Sequence, residues 1–288
     1  MITKEDLLEK LGNLPTLSVS VSGLLRLMND PRADAASFER VIMLDPALTA
    51  NVLKMANSAF FGSPREVKNI RQAVLILGTR RLCDMAVSAS FARIIPPILP
   101  GYGIDSATFW RHCAAVAIIS EKLAAITGHV PPSDAFTPGL LHDLGKLVIS
   151  AYLAETKDQI MSGIREGKQT MVGLEGRVLG LDHTEIGTMI AIRWNLPDEI
   201  ILATRWHHRP DGLPDEAARN LVEIVHVADA LAHSLGYGAD VGELARAVSP
   251  EVEKKMKLKV EQLEKIASET AETIHEAGSL FGALQGGQ

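Results

Sequence analysis

Cysteine is scarce. The chain of 288 residues has two, Cys83 and Cys113, each inside an apolar run. That excludes a disulfide framework and points to buried thiols in a reducing compartment. An excess of basic charge is also missing. The formal net charge is −6, which argues against nucleic acid or an anionic membrane as a partner, because both require a basic face. No apolar stretch is long enough to span a bilayer, since charged residues interrupt each one. The opening residues Met1-Ile2-Thr3-Lys4-Glu5-Asp6 are polar and carry no signal-peptide core. Internal repeats, low-complexity tracts and receiver, kinase or DNA-binding motifs are all absent. Sustained period-two alternation is absent as well, which removes an extended sheet. A cytoplasmic, all-α protein is expected.

What is present is helical signal from end to end. Thr3 can cap a first helix that Gly12 closes. A second holds Leu24, Leu25, Leu27 and Met28 and stops at Asn29-Asp30-Pro31. Asp45-Pro46 pairs an N-cap with proline at the first helical position. Asn69 caps a helix that Gly78 ends, and Thr79 caps the next. Pro96-Pro97 through Gly101-Tyr102-Gly103 is the clearest break, and a sub-domain boundary is placed there. The expected division is an N-terminal helical lobe over 1–95, a connection over 96–105, a second helical lobe over 106–248, and a C-terminal helix with its tail over 249–288. Beyond the break, helices are expected over Ser106 to Thr127, Asp134 to Ala154 and Met171 to Leu179. Others should start at Asp182, Pro197 and Asp215. In the last helix, from about Pro250 to Ala277, Met256, Val260, Leu263, Ala267, Thr270, Ile274, Ala277 and Phe281 step by four and three. That seam suits packing on its own domain, which its thin Ala and Thr positions favour, or a homodimer through the same face.

The chemistry concentrates after the break. Leu140-Leu141-His142-Asp143-Leu144-Gly145-Lys146 sets an imidazole, a carboxylate and an amine among leucines, where charge is costly unless paired or bound to a cation. His112 lies between Phe109, Trp110 and Val116. His183 follows the Asp182 cap, His207-His208 ends a helix, and Asp229 is flanked by Val227, Ala228, Ala230 and Leu231. Such residues, converging from separate helices, are what a metal site in a bundle core requires. Nitrogen and carboxylate donors without thiolates suit iron, manganese, zinc or nickel. His226, one turn before Asp229, is read as a surface or core histidine, with outer support of the site as the alternative. His129, His233 and His275 have no readable partner.

The order His, His-Asp-x-Gly-Lys, His, His-His, Asp resembles the HD superfamily of metal-dependent phosphohydrolases. Leu44-Asp45-Pro46-Ala47-Leu48, Val52 through Ala59, Phe61-Gly62 and Ala73 through Gly78 narrow the resemblance to the HDOD domain, the HD-related output domain of bacterial signalling proteins. It covers roughly Leu14 to Leu235. It implies an all-α fold of two helical lobes. Many HDOD domains have lost metal ligands, whereas this sequence keeps the set. By analogy with the dinuclear HD-GYP relatives, the resemblance implies a first ion held by His112, His142, Asp143 and Asp229. A second would be held by His183, His207 and His208, with Asp143 bridging. The Gly-Tyr-Pro of those relatives is missing from Arg209-Pro210-Asp211-Gly212-Leu213-Pro214.

Two functions follow as expectations. One is a signalling module that carries one or two divalent transition ions and acts on a protein partner or a small phosphorylated ligand. The other is a phosphohydrolase acting on a nucleotide or cyclic nucleotide, with Asp143 central to activating a water for attack on phosphorus. Lys146 could contact phosphate or simply close its helix. Arg209 could contact phosphate or be a solvated loop charge.

Overall fold

The computed structural model describes residues 18–28, 30, 32–58, 60–61, 65–156, 160, 163, 170–214, 216–238 and 248–285. The helix expected from Thr3 and the expected helix start at Asp215 lie outside them. The chain is built of helices: α1 (Val19–Met28), α2 (Ala35–Met43), α3 (Pro46–Ala56) and α4 (Ile70–Ile94) precede the break, and α5 (Ser106–Thr127) through α13 (Val260–Gln285) follow it. Between α5 and α13 lie α6 (Pro132–Leu141), α7 (Lys146–Leu153), α8 (Met171–Leu179), α9 (His183–Arg193), α10 (Asp198–Trp206), α11 (Glu216–Ala232) and α12 (Pro250–Met256). The all-α reading holds. No helix among the described residues is long and apolar enough to cross a membrane.

The caps act where the sequence places them. Asp45 accepts from the Leu48 N–H with Pro46 behind it, Asn69 accepts from the Gln72 N–H, and Asp182 and Glu185 form a reciprocal capping box at the start of α9. Gly78 ends its helix as expected: at φ +81° and ψ 163° it is non-helical, and α4 is two helices that meet across this kink. The Pro/Gly-rich connection contains a small antiparallel pair, β1 (Ile98–Leu99) and β2 (Ile104–Asp105). Helices from both sides of it contribute to one continuous apolar core.

Two expected helices are divided. The one read from Asp134 to Ala154 breaks at His142–Gly145 into α6 and α7, with turns between them. The one read from Pro250 to Ala277 breaks at Lys257, which adopts φ +49° and closes α12. The exposed Val260 is not part of a buried seam. In α13 the buried face is Ile266, Thr270, Ile274, Ala277, Leu280, Phe281 and Leu284. It packs on α5 and α4 of its own chain. Trp110 of α5 donates its Nε1–H to the Ala277 carbonyl (3.0 Å) and stacks on Phe281, which fixes the helix that carries His112.

The break at His142–Gly145 depends on a close approach. A Cβ at Gly145 would stand 1.9 Å from the His183 carbonyl oxygen and 2.7 Å from the Gly187 nitrogen. Only a hydrogen there lets the α6–α7 turn touch the first turn of α9. Gly145→Ala should therefore push the two apart and cost about 1–3 kcal/mol, as overpacking does. Gly176→Ala, where a Cβ meets nothing within 4 Å, should leave stability unchanged or raise it by about 0.5–1 kcal/mol. Urea unfolding of the two variants checks the contrast.

A buried carboxyl joins α4 to α6. Asp84 accepts from the Thr137 hydroxyl (2.6 Å), and burial pushes its pKa up to about 7. The unfolded carboxyl ionises near pH 4. Between those values the folded chain keeps a proton that the unfolded chain has released. Its contribution to stability is thus complete below pH 4, is lost as pH rises to about 7, and is flat beyond. Asp84→Asn should remove that slope from the unfolding free energy, measured by urea titration from pH 4 to pH 8.

Candidate metal centre

Four helices and two turns bring the sequence-selected side chains together. His112 comes from α5, His142 and Asp143 from the turn after α6, and Lys146 from the start of α7. His183 opens α9, His207 and His208 follow α10, and Asp229 lies in α11. All are fully buried except His208, which is partly exposed. They form two groups whose donor atoms lie within 4.8 Å of one another: His112, His142 and Asp229 in one, Asp143, His183, His207 and His208 in the other.

Asp143 stands between the groups. Its Oδ2 is 3.4 Å from the Nε2 of His112 and 3.4 Å from that of His142. Its Oδ1 is 3.3 Å from His183 Nε2 and 3.7 Å from His207 Nε2. Asp229 Oδ1 is 3.4 Å from His112 Nε2 and 3.8 Å from His142 Nε2. The Nε2 atoms of His183 and His208 are 2.8 Å apart.

The other ring nitrogens explain why these faces point inward. Nδ1–H of His112 donates to the Tyr237 carbonyl (3.1 Å), and that of His142 to the Gly139 carbonyl (2.7 Å). Nδ1–H of His183 donates to Glu175 Oε2 (2.7 Å), and that of His207 to the Thr204 carbonyl (3.0 Å). With the proton held at Nδ1, a neutral imidazole turns a lone pair inward from Nε2. Lone pairs therefore face carboxylate oxygens within a buried cluster. His112 Nε2, His142 Nε2 and Asp143 Oδ1 have no hydrogen-bond partner among the described residues. Such an arrangement repels itself unless a proton or a cation lies between, so the donor set fits a divalent transition ion. Outward-facing Nδ1–H bonds of this kind accompany histidines that ligate metals.

The charge balance agrees. Burial resists ionisation of Asp143, yet the neighbouring His142 and Lys146, with His112 close by, hold its carboxyl well below the usual range. Asp229 is likewise held low, chiefly against burial, by His233, His142 and His112. Burial dominates at His112 and lowers its pKa. At His183 burial is outweighed by Glu175 and Asp143, and the pKa is raised. Lys146 Nζ lies 2.9 Å from Asp143 Oδ2 and is itself fully buried. Its amine serves this carboxylate, which is neither of the two roles read for it from sequence. Arg209 is exposed in the loop beside His208.

Sequence reasoning passed over several participants. His233 sits one turn after Asp229 with Nε2 3.4 Å from Asp229 Oδ1, and its ring lies 4.8 Å from that of His112. The i+4 spacing from a buried aspartate was the available signal. Glu175, fully buried in α8, was visible as a lone carboxylate among Met171, Val172, Leu174 and Leu179. His226 is a buried core histidine, as read, and it also braces the backbone of His207. Its Nδ1–H donates to the His207 carbonyl (2.6 Å), and its Nε2 accepts from the Ser249 N–H (3.0 Å). Ser249 in turn donates to Asp211 Oδ2 (3.0 Å), which ties the start of α12 to the loop after His208.

Comparison with known proteins comes to the same region of the chain. A family model described as the HDOD domain matches residues 14–210. An uncharacterised protein of Treponema pallidum is 27% identical over 209 residues, which is 72% of this chain and 40% of the relative. This chain therefore spans well under half the length of that curated relative. Among solved structures, a Shewanella amazonensis protein provisionally named a phosphohydrolase is 27% identical, with 97% of each chain covered and a TM-score of 0.72. A Marinobacter aquaeolei protein provisionally named for signal transduction is 21% identical with a TM-score of 0.76, covering 99% of this chain and 61% of that one.

The brace through His226 makes a stability test. His226→Phe fills the space but leaves the His207 carbonyl and the Ser249 N–H without this partner. It should cost about 1–3 kcal/mol for each buried group left unsatisfied. Chemical unfolding measures the loss.

Proposed function

The chain belongs to the HDOD domain family, and from that premise we propose that it is a signalling module built around an enclosed centre for one or two divalent transition ions. The observation that carries the reading is the position of Asp143, whose two oxygens face two separate sets of imidazole nitrogens. His112, His142, Asp143 and Asp229 would hold one ion. Asp143, His183, His207 and His208 would hold the other.

Enclosure and the commitment of Lys146 favour regulation over turnover. A phosphate-binding lysine has to present its ammonium to the ligand, and here it is bound to Asp143 beneath the Tyr102 ring. In this reading the ions cross-link helices α5, α9 and α11 with the turns after α6 and α10. Their loading alters the stability of the helical surface that a protein partner reads. His208, the partly exposed member, is where the centre meets solvent.

A second reading is supported by the completeness of the donor set and by the Shewanella relative's name. It is hydrolysis of a nucleotide or cyclic nucleotide. Bound ions would supply Lewis acidity toward a phosphoryl oxygen and lower the pKa of a coordinated water. Asp143 and the imidazoles would orient them, and Arg209, exposed beside His208, would receive the ligand's negative charge.

Elemental analysis of protein purified without chelator should find at least one transition ion per chain, and Asp143→Ala should lose it. A panel of nucleotide phosphomonoesters and phosphodiesters should then show no turnover. Turnover that disappears in Asp143→Ala while the helical circular dichroism persists would replace the regulatory reading with the hydrolytic one. Wild-type protein free of metal would remove both.

A further inference from the structure

The small hairpin between the lobes reaches the metal centre. Tyr102 lies in the turn joining β1 to β2 and is buried. Its hydroxyl donates to Glu175 Oε1 (2.7 Å). The other oxygen of that carboxylate accepts from the His183 side chain (2.7 Å) and from the His183 backbone N–H (2.9 Å). The face of the same ring lies 5.2 Å from Lys146 Nζ, and Lys146 bonds Asp143 (2.9 Å). The side chains close a loop: Asp143, Lys146, Tyr102, Glu175, His183, and back to Asp143 at 3.3 Å.

The hairpin is held against α7 independently of these polar contacts. Gly101 N–H donates to the Ser150 hydroxyl (3.1 Å). A Cβ at Gly101 would stand 2.4 Å from the Ser150 carbonyl oxygen and 2.5 Å from Leu153 Cβ. The turn that places Tyr102 is thus seated on the helix that begins with Lys146.

We propose that Tyr102 is a positioning residue for the His183 side of the centre, through Glu175, and that the connection between the lobes is thereby wired to one ion site and not the other. The inference rests on the metal reading above. Glu175 alone would orient the His183 ring, but a carboxylate with one oxygen untethered can rotate. The Tyr102 hydroxyl fixes the second oxygen, and with it the direction of His183 Nε2. The Tyr102–Glu175–His183 arm touches neither His112, which is held by Tyr237, nor His142, which is held by Gly139; the Lys146–Asp143 arm reaches both groups through Asp143 and keeps its contact with the ring in Tyr102→Phe.

The test is competitive titration of the full chain with cobalt(II) against a chromophoric chelator, reading affinity and the visible cobalt bands. His112→Gln serves as a background in which the His183-side ion is read alone, and His183→Gln as its counterpart. Tyr102→Phe keeps the ring over Lys146 and removes only the hydroxyl. It should weaken the His183-side ion about 10-fold, and Glu175→Gln should do so about 10- to 100-fold, the range seen for outer partners of ligating histidines. Gly101→Ala, which displaces the turn and Tyr102 with it, should weaken the same ion. The His112-side affinity should stay at its wild-type value in Tyr102→Phe and in Glu175→Gln. Unchanged His183-side affinity in Tyr102→Phe would overturn the proposal, as would equal weakening at both sides, which marks a general loss of packing. Absence of cobalt binding in the wild type would overturn the metal reading itself and take this inference with it.

Discussion

A carboxylate buried away from water has to be neutralised, and in this chain that requirement organises a lobe. Asp143 is fully buried, and its oxygens look in opposite directions at imidazoles from different helices. Each imidazole is fixed by what its far nitrogen bonds: main-chain carbonyls at His112, His142 and His207, and a carboxylate at His183. The helices cannot slide independently without breaking one of those bonds. A buried charge with incomplete compensation costs several kcal/mol. The cluster is therefore a source of instability that a cation, where bound, would convert into a cross-link.

That arrangement needs the chain to break where a helix would otherwise continue. The apolar residues around His142 and Asp143 follow helical spacing, and nothing between Leu141 and Lys146 is a strong helix breaker except Gly145. The break comes from tertiary contact. The turn meets the backbone of α9 at Gly145 and Gly187, closer than any side chain would permit. The same contact brings Asp143 to the N-terminus of α9, where His183 begins. The turn, the glycine and the ligand pair form one device, which explains why the aspartate lies outside regular helix while its neighbours on both sides lie within it.

The division between what could and could not be read from sequence follows the range of the interactions. Caps such as Asp45, Asn69 and Asp182 act within three residues, and they appear where the sequence puts them. The polar residues stranded among apolar neighbours, His112, His142, Asp143, His183, His207 and Asp229, meet in space, because burial forces such groups to find one another. Their order, matched to a known family, implied two ligand sets around Asp143, and the structure groups the same side chains. What failed to show was contact without a local signature. The break at Gly145 depends on Gly187 forty-two residues away in sequence. Glu175 gains meaning only through Tyr102 and His183. Lys146 looked like a free cation beside a site, and it proved to be the counter-ion of the site's central carboxylate. The seam of the last helix was read one frame too early at its start, because Lys257 resets the helix in a way that period alone does not reveal.

The loop after His208 shows how the centre connects to the rest of the chain. Of the side chains in the two donor groups, His208 is the one that meets solvent, and the loop it opens is tied down at Asp211 by Ser249. Ser249 also donates its backbone N–H to His226, and His226 holds the His207 carbonyl. One serine at the head of α12 thus touches both the rim of the centre and the support of an inner ligand. Buried hydrogen bonds of this kind transmit displacement because leaving either end unpaired is costly.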